Sequence, residues 1–329
     1  MGEGEWTKVR STFAEMPQGT EIVFCAGEPS EFSEQLRSFI RDLCDSSGGK
    51  IAWAEGNPNE ELPVRPCFRI CHGGRTSIAY AAVPAGHQLE PFLLALRLIS
   101  GGAAPSPEED PTIEPINAPA EIWVLVSAFC PRCPAVVEAV AMLGARSPLL
   151  RICIIDAQHF ADLANEYGIK SVPATVIDRR LVRTGLLSAR QLAALLLMRG
   201  TDRYDREMLR SLIERGRAAE AAKMISCGQG REAVLAMMQE AEFSTRVGAL
   251  TVLENALERD EAVVREMVPA LVELLSHQDA RVRGDVADFL GKVGDARAIP
   301  ELERLTGDPD PDVVEAATEA LQSIRPREI

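Results

Sequence analysis

Positive charge is scarce in this sequence. Lys and Arg number 35 against 49 Asp and Glu, a net charge of −14 over 329 residues. Nucleic acid and anionic membrane both require basic surface, so neither is expected as a partner. Long apolar runs are also missing: the longest, such as Leu192–Met198 "LAALLLM", fall far short of the ~20 residues that span a bilayer. The start, MGEGEWTKVR, carries acids and no apolar h-region, so no signal peptide is expected and the expected location is cytoplasmic. Cysteine is too sparse, at eight residues, to build a disulfide scaffold, and in a reducing compartment most of these should be free thiols. A second C-x-x-C is absent, and with it the usual second half of a tetrahedral zinc site.

What is present is a single C-x-x-C in Ser127–Val137, "SAFCPRCPAVV", holding Cys130 and Cys133. Such a motif can carry half a zinc site, close a structural disulfide, or shuttle electrons. The only other close set is Cys67, Cys71 and His72; strand alternation puts both cysteines of "CFRIC" on one face, which reads as packing. No metal site is expected.

The segments around the motif alternate in period. Ile122–Ser127 reads as a strand, Pro134–Leu143 as a helix, Leu149–Ile155 as a strand and His159–Tyr167 as a helix. Ala174–Ile177 and Leu181–Thr184 follow as strands and Ser188–Met198 as a helix, giving β-α-β-α-β-β-α, the order of a thioredoxin fold. The first hundred residues repeat the pattern more loosely: strands at Glu21–Cys25, Lys50–Ala54, Cys67–Cys71 and Thr76–Ala82, the last two joined by a Gly73-Gly74 turn, with helices at Phe32–Leu43 and His87–Ser100. At an offset of one hundred, "EIVFC" (21–25) pairs with "EIWVL" (121–125), and Ser30 and Ser33 fall where Cys130 and Cys133 lie. Five prolines and four acids in 105–119 mark a linker.

From Asp205 onward helical periodicity takes over. "STRVGALTVLENAL" (244–257), "DARVRGDVADFLGKV" (279–293) and "DPDVVEAATEAL" (310–321) share a form, with "VPALVELL" (268–275) and "AIPELERL" (298–305) as second helices. Repetition of this kind is the mark of an α-solenoid, and it resembles short, Asp-rich HEAT repeats. The domains expected are a degenerate fold at 1–104, the linker 105–119, an active fold at 120–200 and repeats at 205–329. The Asp residues at 279, 285, 295 and 308–312 are expected as helix caps and turn residues.

A redox dithiol makes positional demands. Cys130 should stand at the N-terminus of a helix that follows a buried strand, where free N–H groups stabilise thiolate, with Arg132 adding a cation. Cys133, one turn in, is placed to resolve a mixed disulfide. "YGIKSVPAT" (167–175) supplies a cis-proline loop at Pro173, exposing the Val172 backbone for strand-like pairing with substrate. Cys153, Cys25 and Cys44 read as packing thiols, and Cys227 as a partly exposed thiol at a helix end.

"ELPVRPCFRI" (61–70), "VPAGHQLEPFLLALRLISGG" (83–102) and "FCPRCPAVVEAVAML" (129–143) resemble the tandem thioredoxin-fold N-terminal region of the flavoprotein component of alkyl hydroperoxide reductase. They are also similar to glutaredoxin-like protein disulfide oxidoreductases. The first resemblance implies an inactive first fold, Cys130 as nucleophile, Cys133 as resolving thiol, Pro66 as counterpart of Pro173, and a peroxiredoxin as the electron acceptor. Two departures stand out. No flavin- or nicotinamide-binding G-x-G-x-x-G follows the redox region, so no bound cofactor is expected and a separate reductase must supply electrons. The buried acid of thioredoxins is replaced by Val124, and Glu121 is expected to be exposed. The function expected is protein thiol–disulfide exchange with the repeats docking a partner; the alternative is an adaptor whose solenoid does the work.

Overall fold

In the computed structural model, the described residues are 2–57, 61–72, 75–101 and 115–324. The Gly73-Gly74 turn and residues 105–114 of the expected linker lie outside them. The chain divides into two compact units, 1–199 and 200–329.

Unit 1 opens with a helix not foreseen from its sequence, α1 (Glu3–Glu15), whose only buried residues are Val9 and Phe13. Then come β1 (Thr20–Cys25), α2 (Glu31–Ser46), β2 (Ile51–Glu55), β3 (Cys67–His72), β4 (Arg75–Ala81), a 3₁₀ turn (Gly86–Gln88) and α3 (Leu89–Ile99). The second fold follows as β5 (Ala120–Val126), α4 (Cys133–Arg146), β6 (Leu150–Asp156), α5 (Ala161–Glu166), β7 (Ala174–Ile177), β8 (Leu181–Thr184) and α6 (Ala189–Leu197). The second half has the expected element order. In the first, no helix lies between β2 and β3 among the described residues.

Each fold builds four strands in the same order, second-first-third-fourth, and the two sets join into one eight-stranded sheet, β2-β1-β3-β4-β6-β5-β7-β8. The join is a parallel pairing of β4 with β6, Ile78 opposite Ile152 through Ala81 opposite Ile155. Along this pairing, residues 78–81 and 152–155 are apolar on both faces, which is what a strand buried in mid-sheet requires. On one face Phe39, Phe68, Tyr80 and Phe92 interlock at ring-centroid separations of 5.2–6.2 Å. The other face carries Cys25, Cys67, Cys153, Trp123 and Leu125, covered by residues of the α5 region and of 62–64.

Unit 2 is helical: α7 (Asp202–Glu214), α8 (Ala218–Ser226), α9 (Arg231–Met238), α10 (Phe243–Arg259), α11 (Glu261–Leu274), α12 (Ala280–Val293), α13 (Ile299–Leu305) and α14 (Pro311–Ile324). Asp260, Asp279 and Asp295 cap α11, α12 and the 3₁₀ turn before α13 by accepting backbone N–H bonds. Two of the acids expected as caps or turn residues take part in ion pairs, and Asp285 is no cap at all. Asp285 lies in mid-helix and pairs with Arg246, and Asp308 takes both Nε and Nη2 of Arg283 at 2.8 and 2.7 Å.

Helices α12 and α14 pack closely because Gly291 leaves no side chain between them: a Cβ there would stand 2.8 Å from the Ala320 Cα. The contact atom is backbone, so it yields only if the helices separate. Gly291→Val is expected to destabilise unit 2 by about 1–3 kcal/mol, the range for overpacking. Hydrogen exchange of the 280–324 amides in the full chain reads this directly; unchanged protection would refute it.

Candidate functional site

Strand β5 is buried along its length after Glu121, and its chain leaves the sheet at Ser127. The Cys130 N–H donates to the Ser127 carbonyl at 3.1 Å, turning the chain into α4, which begins at Cys133, one residue before the start expected from the sequence. Pro134 sits in the first turn, where a missing N–H breaks no helical bond. Cys130 and Cys133 are disulfide-bonded, with Cα atoms 5.5 Å apart. Cys133 is fully buried and Cys130 is 9% exposed, so of the two residues only Cys130 keeps contact with solvent.

Two backbone groups face Cys130. The Cys133 N–H donates to its Sγ at 3.1 Å, and the Val172 carbonyl oxygen lies 3.7 Å from the same sulfur. An N–H aimed at the sulfur favours thiolate once the bond is reduced. The Val172–Pro173 peptide is cis and Pro173 is buried. The Gly185 N–H ties to the Pro173 carbonyl at 2.8 Å, which brings the β8 end, with 57%-exposed Leu186, beside this loop. Phe129, next to Cys130, is 82% exposed. Neither residue stands out in the sequence; exposure of large apolar side chains beside the Cys130–Cys133 pair is legible only in three dimensions. Arg132 is exposed and has no ion pair among the described residues.

The first fold repeats the frame without sulfur. Ser30 is the N-cap of α2, its hydroxyl accepting from the Ser33 N–H at 3.1 Å, the bond that Cys130 accepts from Cys133 in the second fold. The Arg65–Pro66 peptide is also cis. Gly27 packs against that loop so tightly that a Cβ would meet the Arg65 carbonyl carbon at 2.8 Å. Here oxygen serves as a helix cap where the second fold has a dithiol.

Val124 fills the place of the acid with a fully buried apolar side chain. Glu121 is not exposed as expected: its side chain is 13% accessible and pairs with Arg179 Nε at 2.7 Å. The other thiols differ in kind. Cys25 and Cys67 lie opposite each other across β1 and β3, and a hydrogen bond between them together with burial pushes the Cys67 pKa far up. Burial first, then the Glu121 charge, pushes Cys153 up as well. Cys44 is pushed up to about 11 by burial and then by Asp45, about a hundredfold less thiolate than an ordinary thiol carries near neutrality. In folded, reduced protein, iodoacetamide is therefore expected to label exposed Cys227 well before Cys44, Cys67 or Cys153. Peptide mass spectrometry over time checks the order, and early labelling of Cys153 would contradict it. Among the described residues no group of three or more His, Cys, Asp or Glu is placed to hold a metal ion, and no helix is long and apolar enough to cross a membrane.

Residues 120–197 match the thioredoxin domain family, and residues 231–322 match HEAT repeats. The chain is 24% identical over 193 residues to the F component of alkyl hydroperoxide reductase in Escherichia coli, covering 57% of this chain and 36% of that one. It is 24% identical over 185 residues to a protein of Ferdinandcohnia aciditolerans named NADH dehydrogenase, covering 55% and 34%. The chain thus spans about a third of the length of these curated relatives. Among solved structures, the NTD_N/C domain of alkylhydroperoxide reductase AhpF from Enterococcus faecalis superposes with a TM-score of 0.54 at 21% identity, covering 60% of this chain and 99% of that domain. The chain therefore joins a thioredoxin-fold N-terminal unit, of the kind seen in that reductase domain, to C-terminal HEAT repeats.

Proposed function

We propose that the protein is a thiol–disulfide oxidoreductase that exchanges a protein disulfide through Cys130 and Cys133. The observation that carries this reading is the placement of the Cys130 sulfur between the Cys133 N–H and the Val172 carbonyl, with its partner sulfur sealed behind it. In the reducing direction, Cys130 thiolate attacks one sulfur of the substrate disulfide and expels the other as thiolate. Cys133, as thiolate, then attacks the Cys130 sulfur, releasing the second substrate thiolate and leaving the Cys130–Cys133 disulfide. Two electrons pass to the substrate, and a separate reductase restores the dithiol; the same steps reversed oxidise a substrate.

Val172 and Pro173 supply the edge against which an extended substrate segment lies, and Phe129 and Leu186 give it apolar contact. Arg132 adds positive charge near the attacking thiolate. With the reductase resemblance, a peroxiredoxin is the substrate of choice, and a reducing cytoplasm suits the free thiols. The HEAT repeats dock the protein partner: on α10, Phe243 (69% exposed) and Val247 (39% exposed) stand one turn apart on the surface. The same pair supports the adaptor reading, in which unit 2 binds and the dithiol is idle. Reduction of insulin or a peroxiredoxin by wild type and by Cys130→Ser separates the two; equal rates would sink the enzyme.

A further inference from the structure

Two thiols that the exchange chemistry leaves unused face each other in the first fold. Cys25 closes β1 and Cys67 opens β3, and the antiparallel register sets them directly opposite. Residues so paired have Cα atoms about 4.5–5.5 Å apart, within the ~4.4–6.8 Å that a disulfide spans. A hydrogen bond already joins the two side chains, and the Cys25 sulfur also lies 3.8 Å from the Val23 carbonyl oxygen. Both residues are free thiols with no solvent exposure.

No other strand cysteine competes for either sulfur. Cys153 is on β6, two strands from β3 with β4 between them. That is a separation of about 9–10 Å at ~4.8 Å per strand, beyond the ~7 Å limit for a bridge. Cys71 shares β3 with Cys67 and stands opposite Glu21, about 13 Å away along the strand. The wall over Cys25 is thin. Gly56 is half-buried and packs so closely that a Cβ there would stand 2.8 Å from the Cys25 Sγ. A wall without a side chain admits a molecule the size of water on a small local opening, and it excludes a protein substrate.

We propose that Cys25 and Cys67 are an oxidation site, closing to a cross-strand disulfide when hydrogen peroxide reaches Cys25. The Cys25 sulfur attacks one peroxide oxygen; the O–O bond breaks, water leaves, and Cys25 becomes a sulfenic acid. The Cys67 sulfur then attacks the Cys25 sulfur, the S–O bond breaks, and a second water carries off the Cys67 proton. Two thiols thus lose two electrons and two protons, and the peroxide becomes two waters. The bond staples β1 to β3 across about forty residues of chain, which restricts the unfolded state and stabilises the first fold. The hydrogen bond to Cys25 and burial keep Cys67 a thiol, and neither sulfur reaches the surface, so closure is slow and waits on local opening. The pair passes no electrons to protein substrates, and it closes whether or not Cys130 and Cys133 exchange disulfides.

The full chain carrying Cys130→Ser and Cys133→Ser, which removes the other disulfide, is exposed to hydrogen peroxide, quenched with catalase, alkylated in denaturant and digested without reduction. Mass spectrometry is expected to find the Cys25 and Cys67 peptides joined, and dithiothreitol to separate them. In the linked protein the amides of β1 and β3 should exchange at least about tenfold more slowly than in the reduced protein. The proposal falls if prolonged peroxide that oxidises exposed Cys227 leaves Cys25 and Cys67 as thiols, if Cys67 is found joined to another cysteine, or if the link leaves exchange in β1 and β3 unchanged. Cys25→Ala should leave Cys67 a thiol at the same dose. Should that variant fail to fold, the peptide map of the parent chain still decides the question.

Discussion

Cys130→Ser is expected to remove disulfide exchange, with a loss on the order of a thousandfold or more, because an alkoxide is not formed near neutral pH and no other thiol can take its place. Cys133 is fully buried. Cys153, the nearest alternative in the second fold, is held protonated by burial. Cys133→Ser should behave differently. The nucleophile remains exposed enough to attack, but nothing resolves the product, so the substrate stays covalently attached to Cys130. Non-reducing gels of Cys133→Ser after incubation with a disulfide-bonded peroxiredoxin should show a mixed-disulfide band that dithiothreitol removes and that Cys130→Ser lacks. The same band obtained with Cys130→Ser would overturn the assignment of roles. Phe129→Ser offers a graded check: losing an exposed apolar contact should raise KM by about three- to tenfold for a protein substrate while leaving reaction with a small disulfide unchanged.

The second large effect lies in the repeats. Arg246 is 2% exposed and donates Nη1 to the Glu240 and Ala241 carbonyls at 3.1 and 3.0 Å and Nε to Asp285 at 3.0 Å. One hairpin later, Arg283 donates Nη1 to the His277 and Gln278 carbonyls at 2.8 and 3.2 Å and clasps Asp308 with two bonds. Each guanidinium thus ties the loop before its own helix to an acid further along the chain. Asp308→Ala takes from Arg283, 12% accessible, its paired carboxylate and two hydrogen bonds while the Asp310 and Asp279 charges remain nearby, which should cost about 3 kcal/mol, the lower end for breaking a buried pair. Asp285→Ala should cost less, about 2 kcal/mol, because its carboxylate is partly solvated. The double replacement Arg283→Met/Asp308→Leu should recover most of the loss, since the apolar pair removes the desolvated charge as well. Urea titration read by hydrogen exchange over 231–322 measures all three; a double variant as unstable as Asp308→Ala would refute the account. Arg283 holds the Asp308 carboxyl below the usual carboxylate range. A depressed folded pKa stabilises above the unfolded value of about 3.9 and loses that contribution as pH falls through the folded one. Wild type and Asp308→Asn should therefore converge in stability as the solution is acidified below about pH 4.

Much of the site is written in local sequence. The period of "EIWVL" and "RICII", the Pro134 one residue inside a helix, and the Val-Pro before "ATVI" are signals each carried by a few neighbouring residues, and they place the dithiol, the helix and the cis-proline loop in order. The Ser30 and Ser33 offset is equally visible, because the Ser33 N–H bonds back to Ser30 as the Cys133 N–H does to Cys130. Glu121 reads as exposed in the sequence because its partner, Arg179, arrives from a turn far along the chain. Asp285 reads as a cap because "RGDVADF" does not show that Arg246, in the preceding repeat, reaches it. α1 leaves no such signal because only Val9 and Phe13 of its thirteen residues are buried, too few to mark a periodic face.

The amino-acid order, then, suffices to expect the elements of the candidate site: which sulfurs, at the start of which helix, beside which proline loop. Whether two folds stand apart or share one sheet depends on the β4–β6 pairing, a contact between strands some seventy residues apart that either strand's apolar pattern would also allow with another neighbour. The pairing of Cys25 with Cys67, the burial of Glu121 and the clasp of Arg283 on Asp308 all follow from such distant meetings. They belong to the folded molecule because packing energy acts between residues that the chain separates and only the fold brings together.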